Sequence, residues 1–509
     1  MFSSCTRQCD GAAQNDQPML SKALHAAAWG YLGTALKLVM QLGVQVLLAR
    51  MLGPAEYGLF AIGVIVVSFA LFVGDVSSTA LVPREKLLIE DIRFAFTWQI
   101  IVSSAVALIV ALLAAPIAGY INNDHAEWVI RTLALVCIFN AVGGVSLALL
   151  RRKVDFKRMQ IAQVVGYFVG YVLLALPYAL FVAPTVMALV IAWLAQSLVT
   201  SIIYFIIAPH SLRPLFMCAN ASELIRFGFH SAVANFSGWA MTNIDRVIVA
   251  RAFPVAQVGM YSTAANLLST PLSQVYATLQ QVTFSSSSGL TNNHAGKVLT
   301  SLISLVIVFV GLGYTFSLTA AEPIVLVLYG AKWHEAVPFV EALSVTMFFY
   351  AIAGVISPLL WAQGAIHRDA KIQAIMATLI AAGSIVMAWW SVLAVAWWVA
   401  AVFGMRALFL LSVGAKLFAD TRSILLESLY RGAAFLFAAG LVFRGSDWIL
   451  RDMNFSAAGR FAVLMLMFVL LLSGVVKSHR MMGKAFSESI ELLLGKLHRA
   501  FRKLSGQQE

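Results

Sequence analysis

VLLARMLGPAEYGLF, from Val46 to Phe60, and VIVARAFPVAQVGMY, from Val247 to Tyr261, are two versions of one phrase. With Arg50 set on Arg251, Ala49 falls on Ala250, Val46 on Val247, Ala55 on Ala256 and Gly58 on Gly259, all at one common offset. An echo at fixed offset reads as an internal repeat.

The two copies sit in a chain of 509 residues that is 61% hydrophobic and only 11% charged, far from the roughly half-apolar, quarter-charged mix of soluble domains. This is the composition of a polytopic membrane protein, long enough for a dozen or more spans of about 20 residues, with no room for a separate catalytic module. Apolar runs of span length are expected near 24–48, 58–82, 95–118, 129–150, 161–180 and 186–207. After a polar break come 228–250, 258–282, 298–319, 339–362, 372–391 and 393–415, with two weaker candidates at 432–448 and 459–476. The first residues, MFSSCTRQCDGAAQNDQPML, hold no signal-peptide core or cleavage site and read as a disordered tail. Cys5 and Cys9 lie in that tail, Cys137 and Cys218 in or near apolar segments, and none has metal-site spacing, so no metal is expected.

Lys and Arg in short loops collect on the cytoplasmic side, which tests this segmentation. Loops and tails on the N-terminal side, including RRKVDFKR from Arg151 to Arg158, hold 25 of the 35 basic residues. The opposite side keeps Arg50, Arg131, Arg246, Arg251, Lys332, Arg444, Arg451 and Arg460. Both termini are therefore expected to be cytoplasmic. The rule also accounts for most of the net charge of +12, so nucleic acid is not an expected partner.

Within this frame the repeat matches the junction of helices 1 and 2 to that of helices 7 and 8. The expected fold is all-α with about fourteen transmembrane helices, twelve being the fallback, as two parallel six-helix lobes plus two C-terminal helices. The expected boundaries are an N-terminal tail at 1–22, an N-lobe at 23–209, a cytoplasmic linker at 210–227, a C-lobe at 228–418, the last two spans at 429–478 and a basic amphipathic tail at 479–509. In that tail Ile490, Leu493, Leu494, Leu497, Phe501 and Leu504 share one face, the pattern of a helix lying on a membrane. Parallel repeats about an axis along the membrane normal are a recurrent transporter plan, with substrate held between halves.

LARMLGPAEYG, GDVSSTALVPRE, RRKVDFKRMQIAQVVG, NIDRVIVARAFPVAQVGMYSTAANLLSTPL and LVLYGAKWHEAVP occur in this order across residues 24–415. Together they resemble the polysaccharide transporter family, the Wzx-type flippases of the multidrug/oligosaccharidyl-lipid/polysaccharide superfamily. One departure is GDVSST, where relatives carry a Gly soon after the Asp. The resemblance implies two lobes around a central cavity and movement of an undecaprenyl-diphosphate-linked sugar chain across the bacterial inner membrane. Implied partners are that lipid-linked oligosaccharide, membrane lipids and other polysaccharide assembly proteins.

The costly residues are the charges within spans, at about 2.5 to 3.5 kcal/mol each. Lys37 and Arg406 are the two cations near mid-span, and facing a cavity they would suit an anionic diphosphate. Lys37, Gln41 and Gln45 recur every four residues on one stripe, opposite Leu38, Val39 and Leu42. For Lys37 the other reading is an ion pair that holds the bundle, with Asp75 as one partner. Asn235, Trp239 and Asn243 repeat the spacing, as do Asn266, Thr270 and Gln274, giving stripes suited to sugar hydroxyls or to interhelical hydrogen bonds. Asp75 and Asp245 are candidates for coupling transport to protons or sodium; no cofactor is expected. A cation exporter of the same superfamily is the alternative, although mid-span cations disfavour it. A membrane polymerase or ligase ordinarily needs a larger outward loop than any here, so a non-enzyme is expected.

Overall fold

The computed structural model describes residues 33, 36–74, 76–82, 84, 87–153, 155–287, 292–362, 366–418, 421–478, 486–488, 490 and 491. In chain order the long helices are α1, residues 36–52, α2 Pro54–Gly74, α3 Ile89–Ile121, α4 His125–Arg152, α5 Phe156–Phe181, α6 Val186–Ile207 and α7 Ala221–Ala252. They continue as α8 Val255–Ser287, α9 Gly296–Thr319, α10 Val337–Ala362, α11 Ile366–Met387, α12 Val392–Leu417, α13 Arg422–Asp452 and α14 Ala457–Lys477. Among the described residues, 11 helices are long and apolar enough to cross a membrane. The chain is an all-α, multi-pass membrane protein, as its composition demands. Hydrocarbon offers no partner to a free N–H or C=O, so helices that satisfy their own backbones are one of the two viable solutions. The expected count of fourteen is not reached on length and apolarity, because α7 and α8 carry Asn, Ser, Thr and Gln through their middles and α1 is described over a short stretch.

Packing follows membrane logic, with small residues inside and bulky ones outside. On α3, Leu108, Ile109, Leu112 and Leu113 are exposed, whereas Ala107, Ala114 and Ala118 are buried. One close approach is that of α5 on α6. Gly166 and Gly170 form a small-xxx-small pair in a helix that is π-helical from Phe168 to Ala175. A Cβ at Gly166 would run into Thr200 Oγ1, and one at Gly170 into the Ala192 carbonyl. Gly166→Leu is therefore expected to destabilise the protein by about 1–3 kcal/mol through overpacking. Gly43→Leu, which meets nothing within 4 Å, is the control; thermal unfolding of the purified variants checks the difference.

The chain divides into two compact units, residues 1–239 and 240–509, so the division falls inside α7. In the first unit the α1–α2 corner turns at Gly53 with φ +92°, over buried Ala49 and Gly58. In the second, the α7–α8 corner turns at Phe253 and Pro254 over buried Ala250 and Gly259. Pro254 stands at the repeat position of Gly53.

The expected linker is tied down within the first unit. Arg93 donates to the Arg213 and Pro214 carbonyls at 3.1 and 3.2 Å, Trp98 Nε1 to the Phe216 carbonyl at 3.2 Å, and Leu215 N–H to Thr97 Oγ1 at 2.9 Å. Asn220 donates to Asp91 at 3.1 Å, and Arg84 pairs with both Asp91 and Glu223. Next to this strap, burial against Phe96 and Phe205 holds the His210 imidazole below its usual pKa, favouring the neutral ring.

In the second unit, buried Arg460 of α14 reaches Glu322 at 3.3 Å and Asp447 of α13 at 3.5 Å, while Arg451 also meets Glu322. These charges fasten the last two helices to the short helix Ala321–Leu328. Phe486 and Ile490, within the expected amphipathic tail at 479–509, are buried against Val308 and Val475. That part of the tail packs on protein, and Ile490 with it; the rest of its apolar face, and the expected tail at 1–22, lie outside the described residues.

Candidate functional site

In the first unit a cavity of about 270 Å³ is walled by Gln99, Ser103, Asn140, Ser201, Tyr204 and Asn235, with apolar residues between them. Gln99 Oε1 accepts from the Ser78 N–H at 3.2 Å. Gly143 lets α4 close on Ser201 of α6, where a Cβ would lie 2.7 Å from the Ser201 Cα. The α1 stripe turns toward this unit's interior: Lys37, Gln41 and Gln45 are half-buried, whereas Leu36, Val39 and Leu47 are exposed. Lys37 donates to Gln163 Oε1 at 2.7 Å, and Gln163 Nε2 donates to the Tyr204 hydroxyl at 3.2 Å. Among the described residues its contact is a neutral amide; Asp75, the acid expected as one partner, lies outside them. Gln45 is reached through its backbone carbonyl, by the Tyr57 hydroxyl at 3.3 Å.

In the second unit a cavity of about 310 Å³ brings Thr242, Asn243, Asp245 and Arg246 of α7 against Asn266, Ser269 and Ser273 of α8, with Tyr350 and Phe403 on other walls. Arg246 Nη1 donates to Asn266 Oδ1 at 3.2 Å. Tyr261 donates to the buried Asp245 carboxylate at 2.5 Å. Tyr350 and Phe403 meet edge to face at 5.7 Å between ring centroids. One cation, one carboxylate and a wall of amides and hydroxyls over aromatic faces can hold an anion and hydroxyl-rich groups together. A third, apolar cavity of about 600 Å³ in the same unit is lined by Tyr314, Phe348, Phe349, Leu411, Leu436 and Phe437, among others. It offers space to a hydrocarbon chain.

Asn243, Asn266 and Asp245 therefore share one cavity, and Asn235 lines the other. Trp239 donates to Ser68 Oγ at 3.0 Å and packs on Phe69 at 5.2 Å, within the first unit. The sequence stripe Asn235–Trp239–Asn243 separates because positions four apart drift by about 40° on a helix of 3.6 residues per turn. Arg406 is buried against Asp369, Nη2 to Oδ1 at 3.6 Å. Ser357 and Trp361 also donate to Asp369, at 3.1 and 2.8 Å. The guanidinium thus sits in an internal ion pair and lines neither polar cavity. The Gln274 side chain and Asp75 lie outside the described residues. Sequence reasoning missed Arg246, counted only among the basic residues of the opposite side, although its spacing of three from Asn243 marks one helix face. It also missed Asp369, Gln163 and Tyr204.

The sequence matches the profile of a family described as polysaccharide biosynthesis protein over residues 47–338. It is 24% identical to the succinoglycan biosynthesis transport protein ExoT of Rhizobium meliloti over 59% of this chain and 61% of that one. The chain thus spans about three fifths of that relative's length. It is 19% identical to the lipopolysaccharide biosynthesis protein WzxC of Escherichia coli over 69% of this chain and 72% of that one. Among solved structures, the lipid II flippase MurJ in an inward closed conformation superposes with a TM-score of 0.65 at 16% identity, covering 88% of this chain and 98% of that one. An inward-facing multidrug resistance MATE transporter gives a TM-score of 0.58 at 16% identity, covering 76% and 96%. These structures share the fold.

Proposed function

The chain belongs to the polysaccharide biosynthesis protein family, and from that premise we propose that it is a flippase for lipid-linked oligosaccharides. It carries an undecaprenyl-diphosphate-linked repeat unit across the bacterial inner membrane for exopolysaccharide, capsule or O-antigen assembly, with both termini cytoplasmic and no covalent step. The observation that carries the reading is the second unit's cavity, where Arg246 stands on Asn266 among amides and hydroxyls. A guanidinium binds phosphate oxygens as a fork, Asn243 and Ser273 suit sugar hydroxyls, and the apolar cavity suits the polyprenyl chain. The roles of ExoT and WzxC in succinoglycan and lipopolysaccharide biosynthesis support the same substrate class. Asp245, buried in that cavity wall beside Arg246, is the carboxylate we assign to sensing a proton or sodium gradient.

Deleting the gene in its own bacterium is expected to remove a surface polymer and accumulate completed, undecaprenyl-linked repeat units on the inner leaflet, read by mass analysis of extracted lipids. Unchanged lipid-linked sugars with new sensitivity to cationic drugs would replace this reading by a cation exporter.

A further inference from the structure

A hydrogen-bond chain in the first unit ends at Tyr204 in the cavity wall, and its direction is fixed by chemistry. A lysine ammonium has only protons to give, so Gln163 must turn its Oε1 toward Lys37, at 2.7 Å. The other end of the amide can only donate, and it donates to the Tyr204 oxygen at 3.2 Å. That oxygen therefore accepts, and the phenol keeps its own proton for another partner. Among the described residues no acceptor takes it. Tyr204 is 5% exposed and stands in the cavity wall with Asn140, Ser201 and Asn235.

We propose that Tyr204 donates this proton to an oxygen of one uncharged sugar residue of the transported oligosaccharide, and that Lys37 is a positioning residue acting through Gln163. Successive hydrogen bonds polarise one another in a low-dielectric interior, so a cation at the far end makes the phenol a better donor. The amides of Asn140 and Asn235 each offer a donor and an acceptor, matching sugar hydroxyls that do both. A cavity of about 270 Å³ holds roughly nine waters, the space of one sugar ring rather than of a repeat unit. The inference rests on the flippase reading and deepens it by giving the first unit a sugar subsite.

The test reconstitutes the full chain in proteoliposomes carrying undecaprenyl-linked oligosaccharides extracted from the host, and follows their appearance on the far leaflet against concentration. Tyr204→Phe, which removes one oxygen atom, is expected to raise the half-saturating concentration about tenfold with little change in maximal rate, the effect of one lost hydrogen bond. Lys37→Met and Gln163→Leu should do the same, Lys37→Arg should recover most of the loss, and Lys37→Met combined with Tyr204→Phe should be no worse than either alone. Wild-type saturation by Tyr204→Phe, or effects of Lys37→Met and Tyr204→Phe that multiply, would overturn the relay while leaving the flippase intact. Failure of the wild-type chain to move the lipid would instead overturn the function on which the relay depends. Unfolding temperatures of the purified variants separate either result from misfolding.

Discussion

Arg406→Ala is expected to remove the protein from the membrane, with loss of export following from loss of folded chain. Asp369 is 2% exposed, and its counter-charge is the Arg406 guanidinium at 3.6 Å. Without the arginine, a carboxylate remains in the interior with, among the described residues, Ser357 and Trp361 to donate to it. Breaking one side of a buried pair costs about 3–5 kcal/mol, a large share of a total stability of about 5–15 kcal/mol. Replacing both partners at once, as Arg406→Met with Asp369→Leu, leaves no orphaned charge and should restore most of the folded protein. Amount in the membrane and unfolding temperature of the extracted protein are the readouts. A single Arg406→Ala variant that is abundant, wild-type in unfolding and dead in export would return this arginine to the substrate.

Arg246→Ala is expected to do the opposite: the protein remains and its export falls about 10- to 100-fold. Arg246 is half-exposed and faces the cavity; its hydrogen bond goes to Asn266, while the buried Asp245 beside it keeps the Tyr261 hydroxyl as a donor when the arginine is removed. A hydrogen bond to a charged group contributes about 1.5–3 kcal/mol, which is one to two powers of ten in binding. Arg246→Lys should keep the charge but not the fork, and so part of the activity. Surface polymer per unit of inserted protein measures both variants, and normal export by Arg246→Ala would remove the anion site from this cavity.

Much of the framework is legible in the residues. The repeated Ala and Gly of the two corners report a steric demand that is local to each, so a single sequence reveals it. The helical period sets the Lys37–Gln41–Gln45 stripe opposite Leu38, Val39 and Leu42, of which only Val39 is exposed, while Leu38 and Leu42 are half-buried like the stripe itself. Asn243 and Asn266 share a cavity because α7 and α8 are joined by a tight corner. What a residue faces across a bundle is not written locally. Arg246 was counted by its side of the membrane, a property that says nothing of direction. Asp369 drew no reading from the sequence and is the partner of an arginine on the next helix. Tyr204, inside a run of Ile and Phe, gained a role only when α1 and α5 were brought beside α6.

The strap along α3 bears on how this protein can be cut and labelled. A protease must draw several consecutive residues into an extended strand in its cleft, so exposure of one side chain is not sufficient. Arg213 is exposed, yet its own carbonyl and those of Pro214 and Phe216 are held by Arg93 and Trp98, and the Leu215 N–H by Thr97. A protease of broad specificity would have to peel the segment from α3 before cleaving it, and an epitope inserted there would carry the same cost into folding. Accessibility to water and accessibility to an enzyme part company at this one arginine.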